Sequence, residues 1–182
     1  MLVQSGLPLP RALPPENLHL TLVFLGEIPE PTLADVDAAF SKVRVPPFDL
    51  ALAGLDMFGG AKARSVHAEA APSAPLLQLQ SKVETAARSA GVAVAGRRYA
   101  PHVTLARLPE RFADRARLEA AVAARIAYRS EPFHVEDFCL YRSWLSPGGS
   151  IYDELARYAL GLGGRGRRGG VSRPRPIFRA VR

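Results

Sequence analysis

The chain has 182 residues, 48% hydrophobic and 23% charged, the proportions of one globular domain with enough apolar side chains for a core. A single cysteine excludes a disulfide scaffold, no run approaches the roughly 18 apolar residues of a membrane span, and the start lacks the pattern of a signal peptide; the expected location is cytoplasmic. Net charge is +7, but Arg165, Arg167, Arg168, Arg173, Arg175, Arg179 and Arg182 equal all of it, which leaves residues 1–160 formally neutral.

Residues 1–11 read as a loop. Residues 17–24 then read as a strand in which His19 and Thr21 share one face while Leu20 and Leu22 point to the other. Pro29 and Pro31 lead into a helix with Leu33, Val36, Phe40 and Val43 at three- and four-residue spacing, ended by Pro46 and Pro47. Residues 48–52 and 64–68 are predicted strands joined as a hairpin across Gly59 and Gly60. His67, on the second of these, has no partner motif and reads as structural or exposed.

A second helix starts at Ser73 or Pro75, carries Leu76, Leu79, Val83 and Ala87 on one face, and is capped by Gly91. Arg97 and Arg98 read as solvated. Residues 101–108 form a strand that repeats the first pattern, with His102 and Thr104 on one face. A third helix is expected around Leu118, Val122 and Ile126. Residues 132–138 alternate as a strand that continues into Leu140, Tyr141 and Arg142, with His134 as an ordinary strand residue and Cys139 as a small core residue. A turn at residues 146–149 returns into a last strand over 151–160. Residues 161–182, rich in Gly, Arg and Pro, read as a disordered basic tail. The fold class is α+β.

The chain holds only four histidines and four threonines, and half of each set lies in two His-x-Thr-x tetrads, His19-Leu20-Thr21-Leu22 and His102-Val103-Thr104-Leu105. Two imidazoles facing one pocket can divide the roles of general acid and general base. Hydroxyls beside them can bind an oxygen on which charge develops. In-line attack on a phosphodiester needs these parts: a base for water, an acid for the leaving alkoxide, and donors for the oxygens between. A metal centre is the weaker reading, because neither His is followed by ligands at recognisable spacing and Cys139 stands alone. No cofactor is called for.

The tetrads, with flanks Pro14-Pro15-Glu16-Asn17-Leu18, Phe24-Leu25-Gly26-Glu27, Tyr99-Ala100-Pro101 and Ala106-Arg107, resemble the 2H phosphoesterases. Within that superfamily the chain is similar to the RNA 2′,3′-cyclic phosphodiesterases, also called 2′-5′ RNA ligases; the likeness runs on through Leu140-Tyr141-Arg142-Ser143 and Pro147-Gly148-Gly149, about residues 13–160 in all. The resemblance implies two βα lobes related by a pseudo-twofold, with antiparallel sheets around a central cleft. It implies His19 as proton donor, His102 as proton acceptor, Thr21 and Thr104 as phosphate ligands, and Arg107 as a further substrate contact. On a regular strand Arg107 faces away from His102, so that contact requires a bulge or the strand end. The strand and helix that open the family pattern have no counterpart in residues 1–11, and a start further upstream is the expected reason.

The expected activity is opening of an RNA terminal 2′,3′-cyclic phosphate to a 2′-phosphate without metal. The expected partners are RNA ends or nucleoside cyclic phosphates, with no membrane, and the expected state is a monomer. The alternatives are the reverse reaction, 2′-5′ ligation, and RNA binding without turnover, suggested by the Arg-rich tail.

Overall fold

The structure, a computed structural model, describes residues 6–59, 63–146, 149–161 and 177–181. After a short 3₁₀ turn, Pro15–Asn17, come β1 (His19–Phe24), α1 (Glu30–Phe40), β2 (Phe48–Leu50), β3 (Leu52–Phe58) and β4 (Ser65–Ala70). These are followed by α2 (Ala74–Ser89), β5 (His102–Arg107), α3 (Arg115–Ala123), β6 (Phe133–Val135), β7 (Asp137–Ser146), β8 (Gly149–Ala159) and β9 (Ile177–Val181). The α+β expectation holds.

The helices form where the apolar spacing asks for them. Pro31 near the start of α1 loses no helical hydrogen bond there, and Val36 and Phe40 are buried. Ser73 caps α2, its side chain accepting from the Leu76 amide, and Leu76, Leu79, Val83 and Ala87 form the buried face. Gly91 follows α2 at φ +86°, a conformation in which a Cβ is costly. The third helix is shorter than its spacing suggested: α3 ends at Ala123 and Ile126 is 77% exposed. The extra four-residue step lies in the turn that follows, where helical periodicity no longer sets direction.

Seven strands form one sheet in the order β3-β4-β5-β1-β9-β7-β8. Two of its pairings differ from the expected antiparallel arrangement, because β9 runs parallel to both β1 and β7. The tail is thereby corrected in part: residues 177–181 are a strand of the sheet, while residues 162–176 and 182 lie outside the described residues. The hairpin partner of β4 is β3. β2 instead pairs with β6 in a separate two-stranded sheet, since Phe48, Leu50 and Val135 are all buried in the core under α1 and α2.

Two apolar clusters hold the sheet. Under α1 and α2, Leu20 and Leu22 of β1 pack with Phe138 and Leu140 of β7; under α3, Leu55, Val66, Ala68 and Leu105 pack with Leu118 and Val122. Phe40 lies edge-on to Phe138 and Tyr158, with centroids 5.7 and 5.8 Å away. Leu20, Leu22, Val66 and Ala68 alternate with His19, Thr21, His67 and Glu69. The helices therefore cover one face of the sheet, and the tetrads stand on the other.

Candidate active site

β1 and β5 are neighbours, antiparallel, with Leu20 opposite Val103. Paired residues share a face, so all four tetrad side chains stand on the side away from the helices. The strands pass head to tail, which sets each imidazole across from the other strand's hydroxyl. Both imidazoles are oriented by the same local device. His19 Nδ1–H donates to the Asn17 carbonyl at 2.8 Å, and His102 Nδ1–H donates to the Ala100 carbonyl at 2.7 Å. A carbonyl only accepts, so the contact assigns the proton to Nδ1 and leaves proton transfer to Nε2 in each ring.

Each tetrad strand carries an extra residue just after its threonine. His67 pairs with Thr104 and Val66 with Ala106, which leaves Leu105 over; Thr21 pairs with Arg179 and Val23 with Ala180, which leaves Leu22 over. A bulge reverses the alternation beyond it. Leu22 and Val23, like Leu105 and Ala106, are consequently both buried in succession, and the next residues, Phe24 and Arg107, are exposed. The bulge required for Arg107 is present: its partner is Ser65, which shares a face with His67, so the backbone returns Arg107 to the tetrad side.

The structure surrounds the tetrads with rings that sequence spacing does not single out. His67 is 1% exposed and its ring lies 5.2 Å from that of His102, at 69°. Phe58 stacks on His67 at 3.8 Å and meets His102 edge-on at 4.7 Å. Burial, with the nearby His102 charge second, lowers the His67 pKa from 6.5 to about 4, against a weaker opposing pull from Asp56; His67 is thus neutral at pH 7. Near His19, the Tyr152 ring lies 5.0 Å away at 64°. These contacts come from strands distant in sequence, β3, β4 and β8, and no local motif signals them.

A cleft of about 690 Å³ opens beside the tetrads, with Thr21, Phe24, Phe58, Arg97, Arg98 and His102 in its lining. Arg97 and Arg98 are exposed, as expected, but on the rim of this cleft. His134 is exposed and pairs with Asp49 at 2.8 Å, away from the tetrads. Cys139 is fully buried, and burial pushes its thiol pKa up, as befits a core residue. One arrangement has no signature in the sequence: Asp56, His67 and Glu69 bring ligand-capable atoms within 4.8 Å of one another. Asp56 lies opposite His67 across the β3–β4 pair, a proximity that linear spacing cannot show.

The sequence profile described as the 2′-5′ RNA ligase superfamily matches residues 6–144, which include both tetrads and Arg107. The chain belongs to that superfamily. Among its relatives, an RNA 2′,3′-cyclic phosphodiesterase of Archaeoglobus fulgidus is 33% identical over 155 residues, 83% of this chain and 84% of that protein. One of Geobacillus stearothermophilus is 31% identical over 86% of this chain, which spans about half (49%) of that longer protein. The superfamily fold is equally evident in solved structures. A Thermus thermophilus protein, TT0787, superposes with a TM-score of 0.67 at 29% identity, covering 84% of each chain. E. coli LigT complexed with 3′-AMP superposes at 0.63 and 26%, over 87% of this chain and 84% of that one.

Proposed function

We propose that this protein opens the terminal 2′,3′-cyclic phosphate of RNA to a 2′-phosphate by metal-independent acid–base catalysis. The observation that carries the reading is the antiparallel pairing of two His-x-Thr-x strands with Leu20 opposite Val103, which gathers two imidazoles and two hydroxyls on one face. His102 Nε2 takes a proton from water as its oxygen attacks phosphorus. The bond from phosphorus to the ribose 3′ oxygen breaks, and His19 Nε2–H protonates that oxygen as it leaves. Thr21 and Thr104 donate to the non-bridging oxygens, and Arg107 adds positive charge beside them.

The family resemblance assigns donor and acceptor between the two histidines. Two βα lobes related by a pseudo-twofold fit the repeated bulge, the matching Nδ1 contacts and the two separate cores. The same acid and base serve ligation in reverse, but bulk water drives the reaction toward hydrolysis. The protein acts as a cytoplasmic monomer on RNA ends or nucleoside cyclic phosphates; no helix among the described residues is long and apolar enough to cross a membrane. The deciding experiment is hydrolysis of a nucleoside 2′,3′-cyclic phosphate in chelator, with the product isomer identified, by this chain and its His19→Ala and His102→Ala variants. A 2′-phosphate made by the parent and lost in both variants supports the reading. Absence of product from the folded parent refutes it.

A further inference from the structure

We propose that the gap between β1 and β7 is a strand-acceptor slot, and that residues 177–181 occupy it to hold the His19 strand in place. β1 has five register partners in β9, from His19↔Ile177 to Phe24↔Val181, and one in β5, Leu20↔Val103. On the far side β9 is in register with Cys139, Leu140 and Tyr141 of β7. The backbone of β1 is thus fixed chiefly from the C-terminal end of the chain. Without an occupant, β1 and β7 would each present an unpaired edge beside fully buried side chains: Leu20, Leu22, Phe138 and Leu140 are all no more than 3% exposed. Buried N–H and C=O groups left without partners are strongly disfavoured, so the slot favours an extended segment.

The sequence of the tail fits that role. Residues 161–176 are Gly, Arg and Pro for the most part, whereas Ile177-Phe178-Arg179-Ala180-Val181 is an abrupt return to residues that suit a pleated, half-buried surface. Pro174 and Pro176 precede the strand in sequence, where a missing N–H does no harm. The connection is also long enough. β8 ends beside the start of β7, with Ala159 opposite Asp137, and β9 enters at the same end, with Arg179 opposite Cys139. That leaves two strand spacings, about 10 Å, for a connection running from residue 160 to residue 176. The slot takes an extended peptide, parallel to both neighbours, largely apolar and flanked by arginine. Its register also sets Arg179 level with Thr21.

The test compares the full chain, a chain ending at Pro176, and full-length Ala180→Pro, which removes an amide from a central strand. Readouts are hydrogen exchange at the Leu20 and Leu22 amides, thermal unfolding, and anisotropy of a labelled peptide of residues 173–182. The expected result is at least tenfold faster β1 exchange in both variants, and saturable binding of the peptide to the shortened chain with protection restored, but not of a scrambled peptide. Unchanged exchange and no peptide binding would overturn the proposal. If the shortened chain does not fold, Ala180→Pro decides: unchanged β1 exchange refutes it. None of these readouts needs turnover, so the strand slot and the phosphodiesterase reading stand or fall separately.

Discussion

The imidazole of His67 meets that of His102 edge-to-face with centroids 5.2 Å apart, while Phe58 stacks on it at 3.8 Å. The His102 ring is thereby held between a backbone carbonyl at Nδ1 and a wall of two aromatic rings. This placement costs His67 its proton. Its pKa falls to about 4 because burial, then the His102 charge, disfavours the imidazolium, and its buried Nδ1 has no hydrogen-bond partner among the described residues.

A pH dependence of stability follows. Between pH 6.5 and about 4 the unfolded chain binds a proton at His67 that the folded chain does not, so stability rises with pH across that window. The contribution is undiminished above pH 6.5, and on the order of 2–3 kcal/mol of it is lost by pH 4. His67→Phe, similar in shape and without a proton to bind, should unfold in urea with a flatter pH profile than the parent. Parallel profiles would show that His67 titrates normally.

Replacement of either tetrad histidine should lower turnover of a nucleoside cyclic phosphate by about 10² to 10⁴, the range of acid–base catalysis, with the urea midpoint little changed. The double variant should lose much less than the product of the two losses, because the groups act as one unit. The kcat/KM profile of the parent should be bell-shaped, since one ring must be neutral and the other charged. Multiplying losses, or a flat profile, would argue against shared acid–base work.

Arg107 tests the bulge. With Leu105 extra, the backbone brings Arg107 back to the tetrad face; on an uninterrupted strand it would face α3. Arg107→Ala should therefore raise KM for a cyclic phosphate about tenfold or more, as expected for loss of a charge-assisted contact, and Arg107→Lys should recover part of it. Thr21→Val and Thr104→Val, which remove the proposed donors to the developing charge, should instead lower kcat by about 10². A KM unchanged in Arg107→Ala would place that side chain outside the site.

Much of this architecture is legible in the sequence because it is local. The faces of α1 and α2, the start of α2 near Ser73, the two tetrads and the buried Cys139 each follow from patterns over a few residues. What is not legible depends on pairing across the sheet. The contact of His67 with His102 arises because β4 lies beside β5, and the bulge at Leu105 is defined only by its partner strand. The β9 strand is hidden by its setting, a short apolar stretch inside a Gly/Arg/Pro-rich composition.

The cluster of Asp56, His67 and Glu69 bears on the metal question. Its ligand-capable atoms are within 4.8 Å of one another, near enough for a transition-metal ion after modest contraction, and Glu69 is the register partner of His102. The proposed two-histidine reaction uses no Lewis acid, so turnover should persist after exhaustive chelation and dialysis. Added Zn²⁺ should inhibit, because an ion on Glu69 and His67 would place positive charge beside the base and oppose its protonation. Glu69→Gln should weaken that inhibition without lowering chelated turnover severalfold. Loss of activity on chelation, restored by a divalent ion and abolished by Glu69→Gln, would instead make the cluster a catalytic metal centre and overturn the metal-independent mechanism.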